Sequence, residues 1–180
     1  ACIEFSLRGT PRDREEMQRD LMKLSSELEV DFSFQRDNMY RRMRRLICFD
    51  MDSTLSQTEC IDELAEKAGV GEQVRAITES AMRGEIDFKE SFAQRVALLK
   101  GLDVSVMQGI AENMPITEGV ERLMFVLKRY GYKIAILSGG FTFFGEYLQK
   151  KFGIDYVYAN ELEVEDGKLT GRYVGDVVDG

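Results

Sequence analysis

Apolar positions along the chain change period several times. Ile3, Phe5 and Leu7 alternate with other residues, and this period of two predicts a half-buried strand over 2–8. Thr10 and Pro11 follow as N-cap and first helical residue. Met17, Leu21, Leu24 and Leu28 then recur at helical spacing, before Val30, Phe32 and Phe34 restore period two. A β-α-β piece of this size has too little core to stand alone. It predicts part of a small α+β domain over 1–37, joined to the rest by 38–45.

The run LICF (46–49) is continuously apolar, as expected of a strand covered on both faces in a parallel sheet, and Cys48 within it reads as a small core hydrophobe. From 60 to about 113 the pattern is helical throughout. Ile61, Leu64, Ala65 and Ala68 form one stripe; Phe88, Phe92, Val96 and Leu99 form another, capped by Asp87. Asp103 opens a further helix that stops before Pro115. Val120, Leu123, Met124 and Leu127 mark a helix ending near Gly131. The strand YKIAIL, the tripeptide SGG, a helix to about Phe152, the strand IDYVYA and a hairpin around Asp166-Gly167 complete the pass. The fold class is therefore α/β: a doubly wound parallel-sheet core over 46–180, with a helical insert at about 59–113 and a partial α+β piece before it.

Composition narrows the function. Of the 180 residues, 44% are hydrophobic and 31% charged, the balance of a soluble globular chain rather than a disordered one. No apolar stretch approaches the ~18 residues of a membrane span, and no secretory signal opens the chain. A net charge of −8 gives no general attraction for nucleic acid or anionic lipid. The basic run RRMRR (41–45) reads as a solvated connector, because no aromatic residues interleave it. Three cysteines without metal-site spacing point to reduced, cytoplasmic thiols. The absence of histidine excludes a Ser-His-Asp triad and a His-ligated zinc. Acid–base work falls to carboxylates, and any metal is a hard one held by oxygen.

Ligands of such a sheet bind outside the carboxyl ends of its strands. Two features fall there: DMDST (50–54) after LICF, and SGG (138–140) after YKIAIL. Side chains two positions apart on an extended segment share a side, so Asp50 and Asp52 converge on one point. Their mutual repulsion demands a divalent cation or a shared proton. A neutralised Asp50 suits nucleophilic attack on phosphorus, and a protonated Asp52 suits proton donation to the leaving oxygen. Thr54 and Ser138 offer hydroxyls, with backbone N–H groups at Ser53 and Gly139 to cradle phosphoryl oxygens. An EF-hand is rejected, because Leu55 and Ile61 stand where glycine and glutamate are needed; a P-loop is absent. As a spacing alone, D-x-D also occurs as a simple turn with an N-cap.

DMDST resembles the first motif of haloacid-dehalogenase-type phosphatases, and ILSGG the second. The likeness extends through TECIDELAEKAG, AMRGEIDF, RVALLKG and ANELEVEDGKLTG, covering nearly everything over 46–180. At that density it is to the members acting on phosphoserine. The resemblance implies Asp50 as nucleophile, Asp52 as general acid/base, and Mg²⁺ held by the Asp50 carboxylate and the Asp52 carbonyl. It implies phosphate on Ser138 and Gly139, the substrate's amino and carboxylate groups on Glu59 and Arg95, and Met82 and Phe88 lining the pocket. A zwitterionic phosphate ester does need one anion and one cation beyond the phosphate cradle, and Glu59 and Arg95 match in charge. The first 37 residues resemble part of an ACT-type amino-acid-sensing module, which implies an amino-acid effector; oligomeric state, including a homodimer, is left open.

The family's downstream lysine and GDGxND motif are not found, and GDVVDG (175–180) is not that motif. The chain is accordingly expected to be a piece of a longer protein, impaired in catalysis unless the missing segment is supplied. Two other functions remain in view. One is a non-catalytic protein that binds an amino acid or phosphate and signals through its N-terminal piece; the other is a related phosphatase or phosphotransferase for another small phosphate ester.

Overall fold

Three parallel strands and one antiparallel strand build a sheet of order β1-β2-β3-β4. β1 (Leu46–Phe49) pairs in parallel with β2 (Lys133–Phe141), β2 in parallel with β3 (Tyr156–Glu165), and β3 antiparallel with β4 (Lys168–Val174). The computed structural model describes residues 3–10, 13–36 and 45–178 of the chain, which divides into units over 1–44 and 45–180.

In the second unit, in-register pairing puts Ile47, Phe49, Ile134, Ile136 and Val157 on one sheet face. The helices α6 (Val120–Arg129) and α7 (Thr142–Phe152) contact β2 there, and a Cβ on Gly145 of α7 would lie only 2.6 Å from Val157 Cγ1. The opposite face is open among the described residues, with Leu46, Leu137, Tyr156 and Tyr158 all exposed. The LICF run is thus covered on one face rather than two, and Cys48 is an exposed thiol, not a core residue. A continuous apolar run does not say which of its faces is covered, whereas the register does.

Between β1 and α6 lies the helical insert: α2 (Cys60–Ala68), α3 (Gly71–Met82), α4 (Phe88–Leu98) and α5 (Ser105–Asn113). Asp87 caps α4 by accepting from the Glu90 N–H at 2.8 Å, and Asp103 accepts from the Ser105 N–H at 2.9 Å at the start of α5. The β3–β4 hairpin turns at Asp166 and Gly167, both at positive φ, as a two-residue turn of this hand requires. It also supports the insert. Leu169 exchanges backbone hydrogen bonds with Gly101 and Leu102, and Gly167 accepts from Val104. Phe92 of α4 packs against Phe141 and Tyr173, at ring-centroid distances of 5.9 and 5.3 Å.

The first unit departs from its pattern. Helix α1 (Arg14–Leu28) forms, but it is capped by Asp13, whose carboxylate accepts from the N–H groups of Glu15 and Glu16, rather than by Thr10. No strand forms over 3–8 or 30–36. Ile3, Phe5 and Leu7 are each at least 75% exposed, so the alternation has no sheet partner and no covered face to hold it extended. The ACT-like β-α-β reading is not met here. Pro11 and residues 37–44, which hold the connector 38–45 and its basic run except for Arg45, lie outside the described residues. Among those described, no helix is long and apolar enough to cross a membrane.

Candidate active site

The chain leaves β1 at Asp50 and reverses at once. Met51 is fully buried, and its carbonyl accepts from the N–H groups of Thr54, Leu55 and Ser56 at 2.9–3.3 Å, with Leu55 and Ser56 buried beside it. Ser53 occupies the left-handed region (φ 54°), the kink that lets three amides gather on one oxygen. This knot roots the loop and leaves Asp50 and Asp52 facing a cleft of about 190 Å³. Ser138, Gly139 and Gly140 of β2 line it too, with Glu59, Phe88, Phe92 and Arg95 of the insert.

Asp52 is the most perturbed carboxyl of this group, pushed up to about 6 chiefly by burial, with repulsion from Glu59 and Asp50 adding to it. Opposing that rise, the Cys60 backbone N–H donates to Asp52 Oδ1 at 3.1 Å, and the Cys60 thiol bonds to the same carboxylate. Cys60 is fully buried, and burial beside Asp52 drives its thiol far above the ordinary range, so it stays a protonated donor. Asp50 is exposed, and its Oδ1 accepts from the Met51 N–H at 2.7 Å. Glu59 is fixed by the Ser53 hydroxyl, which donates to its Oε1 at 2.6 Å. Burial pulls Arg95 below the usual guanidinium value, and Asp62 and Glu59 partly offset it. It remains a cation, and its Nε donates to the Ser91 carbonyl one turn back at 3.3 Å.

Seven of the residues anticipated from the motifs therefore share one cleft: Asp50, Asp52, Glu59, Phe88, Arg95, Ser138 and Gly139. Two do not. Met82, at the end of α3, is 83% exposed and does not line the cleft. Thr54 is exposed, with its N–H turned to the Met51 carbonyl, and it too lies outside the lining. Gly140 was missed, although the second glycine of SGG is its signal; Ser53 and Cys60, which hold Glu59 and Asp52, carry no spacing signal of their own.

The donor set available to a metal is all oxygen. The Asp50 carboxylate faces the cleft, and the Asp52 backbone carbonyl accepts no hydrogen bond from the described residues. Those donors fit a hard divalent cation such as Mg²⁺. They form a partial shell, since among the described residues no group of three or more His, Cys, Asp or Glu is placed to hold a metal ion.

The fold agrees with the comparisons to known proteins. Residues 47–180 match the haloacid dehalogenase-like hydrolase model, and the chain belongs to that family. Within it, the chain is similar to a phosphoserine phosphatase of Archaeoglobus fulgidus, 48% identical over 177 residues, which cover 98% of this chain and 52% of the relative. Among solved structures, a phospho-aspartyl intermediate analogue of phosphoserine phosphatase aligns with a TM-score of 0.68 at 44% identity, covering 75% of this chain and 65% of that one. A haloacid dehalogenase family hydrolase from Salmonella enterica serovar Typhi aligns with a TM-score of 0.83 at 33% identity, covering 92% and 56%. The chain spans about half the length of the first curated relatives it matches.

Proposed function

We propose that the protein hydrolyses O-phosphoserine to serine and phosphate through a phospho-enzyme on Asp50, the closing reaction of serine synthesis, in a reducing cytoplasmic setting. The observation that carries this reading is the cleft's division of labour. Two carboxylates and the Ser138–Gly140 turn share the cleft with an anion and a cation, Glu59 and Arg95. Similarity to relatives named phosphoserine phosphatase supports the choice of substrate.

In this reading an Asp50 oxygen attacks phosphorus as the bond from phosphorus to the serine oxygen breaks. The Asp52 carboxyl, kept protonated more than an ordinary aspartate by its burial, gives its proton to that departing oxygen. As a carboxylate it then takes a proton from the water that attacks the acyl phosphate, releasing orthophosphate and restoring Asp50. Ser138 donates its hydroxyl to a phosphoryl oxygen. Glu59 binds the substrate's ammonium and Arg95 its carboxylate, which sets the distance from the amino acid to the reacting phosphorus. The Asp50 carboxylate and the Asp52 carbonyl would hold Mg²⁺, which would neutralise the phosphoryl charge.

The test is phosphate release in Mg²⁺ from O-phosphoserine beside phosphoethanolamine, glycerol phosphate and an aryl phosphate. A kcat/KM for O-phosphoserine well above the others is the expected result. Equal rates across the panel point to a general phosphomonoesterase, and phosphoserine binding without turnover points to a sensor; either overturns the proposal.

A further inference from the structure

Asn160 is 2% exposed in the middle of β3, and all the bonds of its carboxamide reach away from its own strand. Its Nδ2 donates to the Gly139 carbonyl at 2.9 Å and to the Val178 carbonyl at 3.2 Å, while its Oδ1 accepts from the Val178 N–H at 2.8 Å. These bonds occur where the β2–β3 ladder lapses. Pairing runs to Leu137 opposite Tyr158 and resumes only at Phe141 opposite Asn160. Residues 138–140 are the bulge between, so Gly139 has lost its ladder partner and the Asn160 side chain takes that partner's place.

The consequence lies on the far edge of the same peptide. No peptide bond among the described residues is cis, so the Gly139 carbonyl and the Gly140 N–H point in opposite directions. With the carbonyl pinned outward on Asn160, the amide points inward and donates to Ser138 Oγ at 3.0 Å. That bond occupies a lone pair on the hydroxyl and leaves its proton for a ligand; among the described residues it donates to no acceptor. The geometry points to Asn160 as a positioning residue for the phosphate end of the cleft: by holding the 139–140 peptide it aims the Ser138 hydroxyl at the phosphoryl group. Asn160 does not itself line the cleft. This inference rests on the proposed phosphatase reading.

Binding of inorganic phosphate and of L-serine, measured by titration calorimetry in Mg²⁺, separates phosphate binding from binding of the amino acid. Asn160→Asp keeps the size and the acceptor but sets a second oxygen against two carbonyls; Asn160→Ala removes the clasp. Both variants are expected to bind inorganic phosphate at least about 10-fold more weakly, the loss of one charge-assisted hydrogen bond. L-serine, held at Glu59 and Arg95, is expected to bind within about 2-fold of wild type. Unchanged phosphate affinity overturns the inference, and so does a parallel loss of L-serine, which marks collapse of the whole cleft. Wild-type protein that binds neither ligand overturns the phosphatase reading, and the inference with it. Should the variants fail to fold, wild-type protein still decides. The Asn160 side-chain NH₂ resonance is expected to move with the Gly140 amide as phosphate is added, and a stationary Asn160 signal contradicts the inference.

Discussion

Gly140 shows how little room the site leaves at the scale of one residue. A Cβ there would stand 2.8 Å from Met51 Cε and closer still to Asp52 Oδ2, and both neighbours are anchored. Gly140→Ala therefore displaces the Asp52 carboxylate. An ångström of misplacement costs on the order of 10²-fold in rate, so kcat is expected to fall by that order, with KM for O-phosphoserine changed far less. Steady-state kinetics make the distinction; a normal kcat would mean that Asp52 can move freely. Arg95 offers the complementary case, because its planar fork matters beyond its charge. Arg95→Lys is expected to raise KM for O-phosphoserine by about 10-fold or more, the scale of a hydrogen bond to a charged group. An aryl phosphate, with no carboxylate to hold, should be hydrolysed as before. If both substrates suffer alike, Arg95 does not read the amino-acid end.

At the scale of elements, Asp155 ties the start of β2 to the approach of β3. Its carboxylate accepts from the Ile134 N–H at 3.0 Å and pairs with Lys133. Those partners, led by the Lys133 bond, hold its carboxyl below the ordinary aspartate value of 3.8. A carboxyl depressed by folding stabilises the native state above its unfolded value and loses that contribution as pH falls through its folded value. The wild-type Tm is accordingly expected to drop more steeply below about pH 4 than that of Asp155→Asn, whose Tm is lower at neutral pH. Parallel Tm–pH curves would remove Asp155 from the account. Packing of α7 on β3 makes a second demand. Gly145→Ala meets Val157 Cγ1 at 2.6 Å, and overpacking of this kind costs about 1–3 kcal/mol. Thermal melts should show it.

Elements were also where the sequence was most and least readable. The order from β1 through the hairpin followed from period, caps and the Asp166-Gly167 turn, because those signals are local. Coverage of β1 was not readable, since LICF looks the same whether one face or both are buried. Nor was the failure of 3–8 and 30–36 to form strands, since alternation states a preference and a ladder partner must satisfy it. At the site, Asp50, Asp52 and Ser138 were readable because they end strands on the binding edge. Asn160 was not: its role depends on a bulge in a neighbouring strand, and an asparagine inside a β-pattern reads as any polar position.

The whole molecule carries a net charge of −8, and its cleft repeats that imbalance. Asp50, Asp52 and Glu59 line it against one cation, Arg95, among the described residues. A phosphate dianion entering such a site is repelled unless a divalent cation enters too. Inorganic phosphate is expected to bind at least about 10-fold more weakly in EDTA than in Mg²⁺, since one screened charge contact is worth about 1–4 kcal/mol. Metal-independent affinity would mean that the protein's own dipoles suffice. The proposed reaction itself passes through a covalent phospho-enzyme. The protein is mixed with O-phosphoserine and Mg²⁺, quenched in acid during turnover, digested, and the phosphoryl group located by mass spectrometry. An acyl phosphate is expected on Asp50, discharged by hydroxylamine and absent from Asp50→Asn, whose turnover falls by on the order of 10⁴-fold or more. A phosphoryl group on any other side chain, or an Asp50→Asn variant that still turns over, contradicts it.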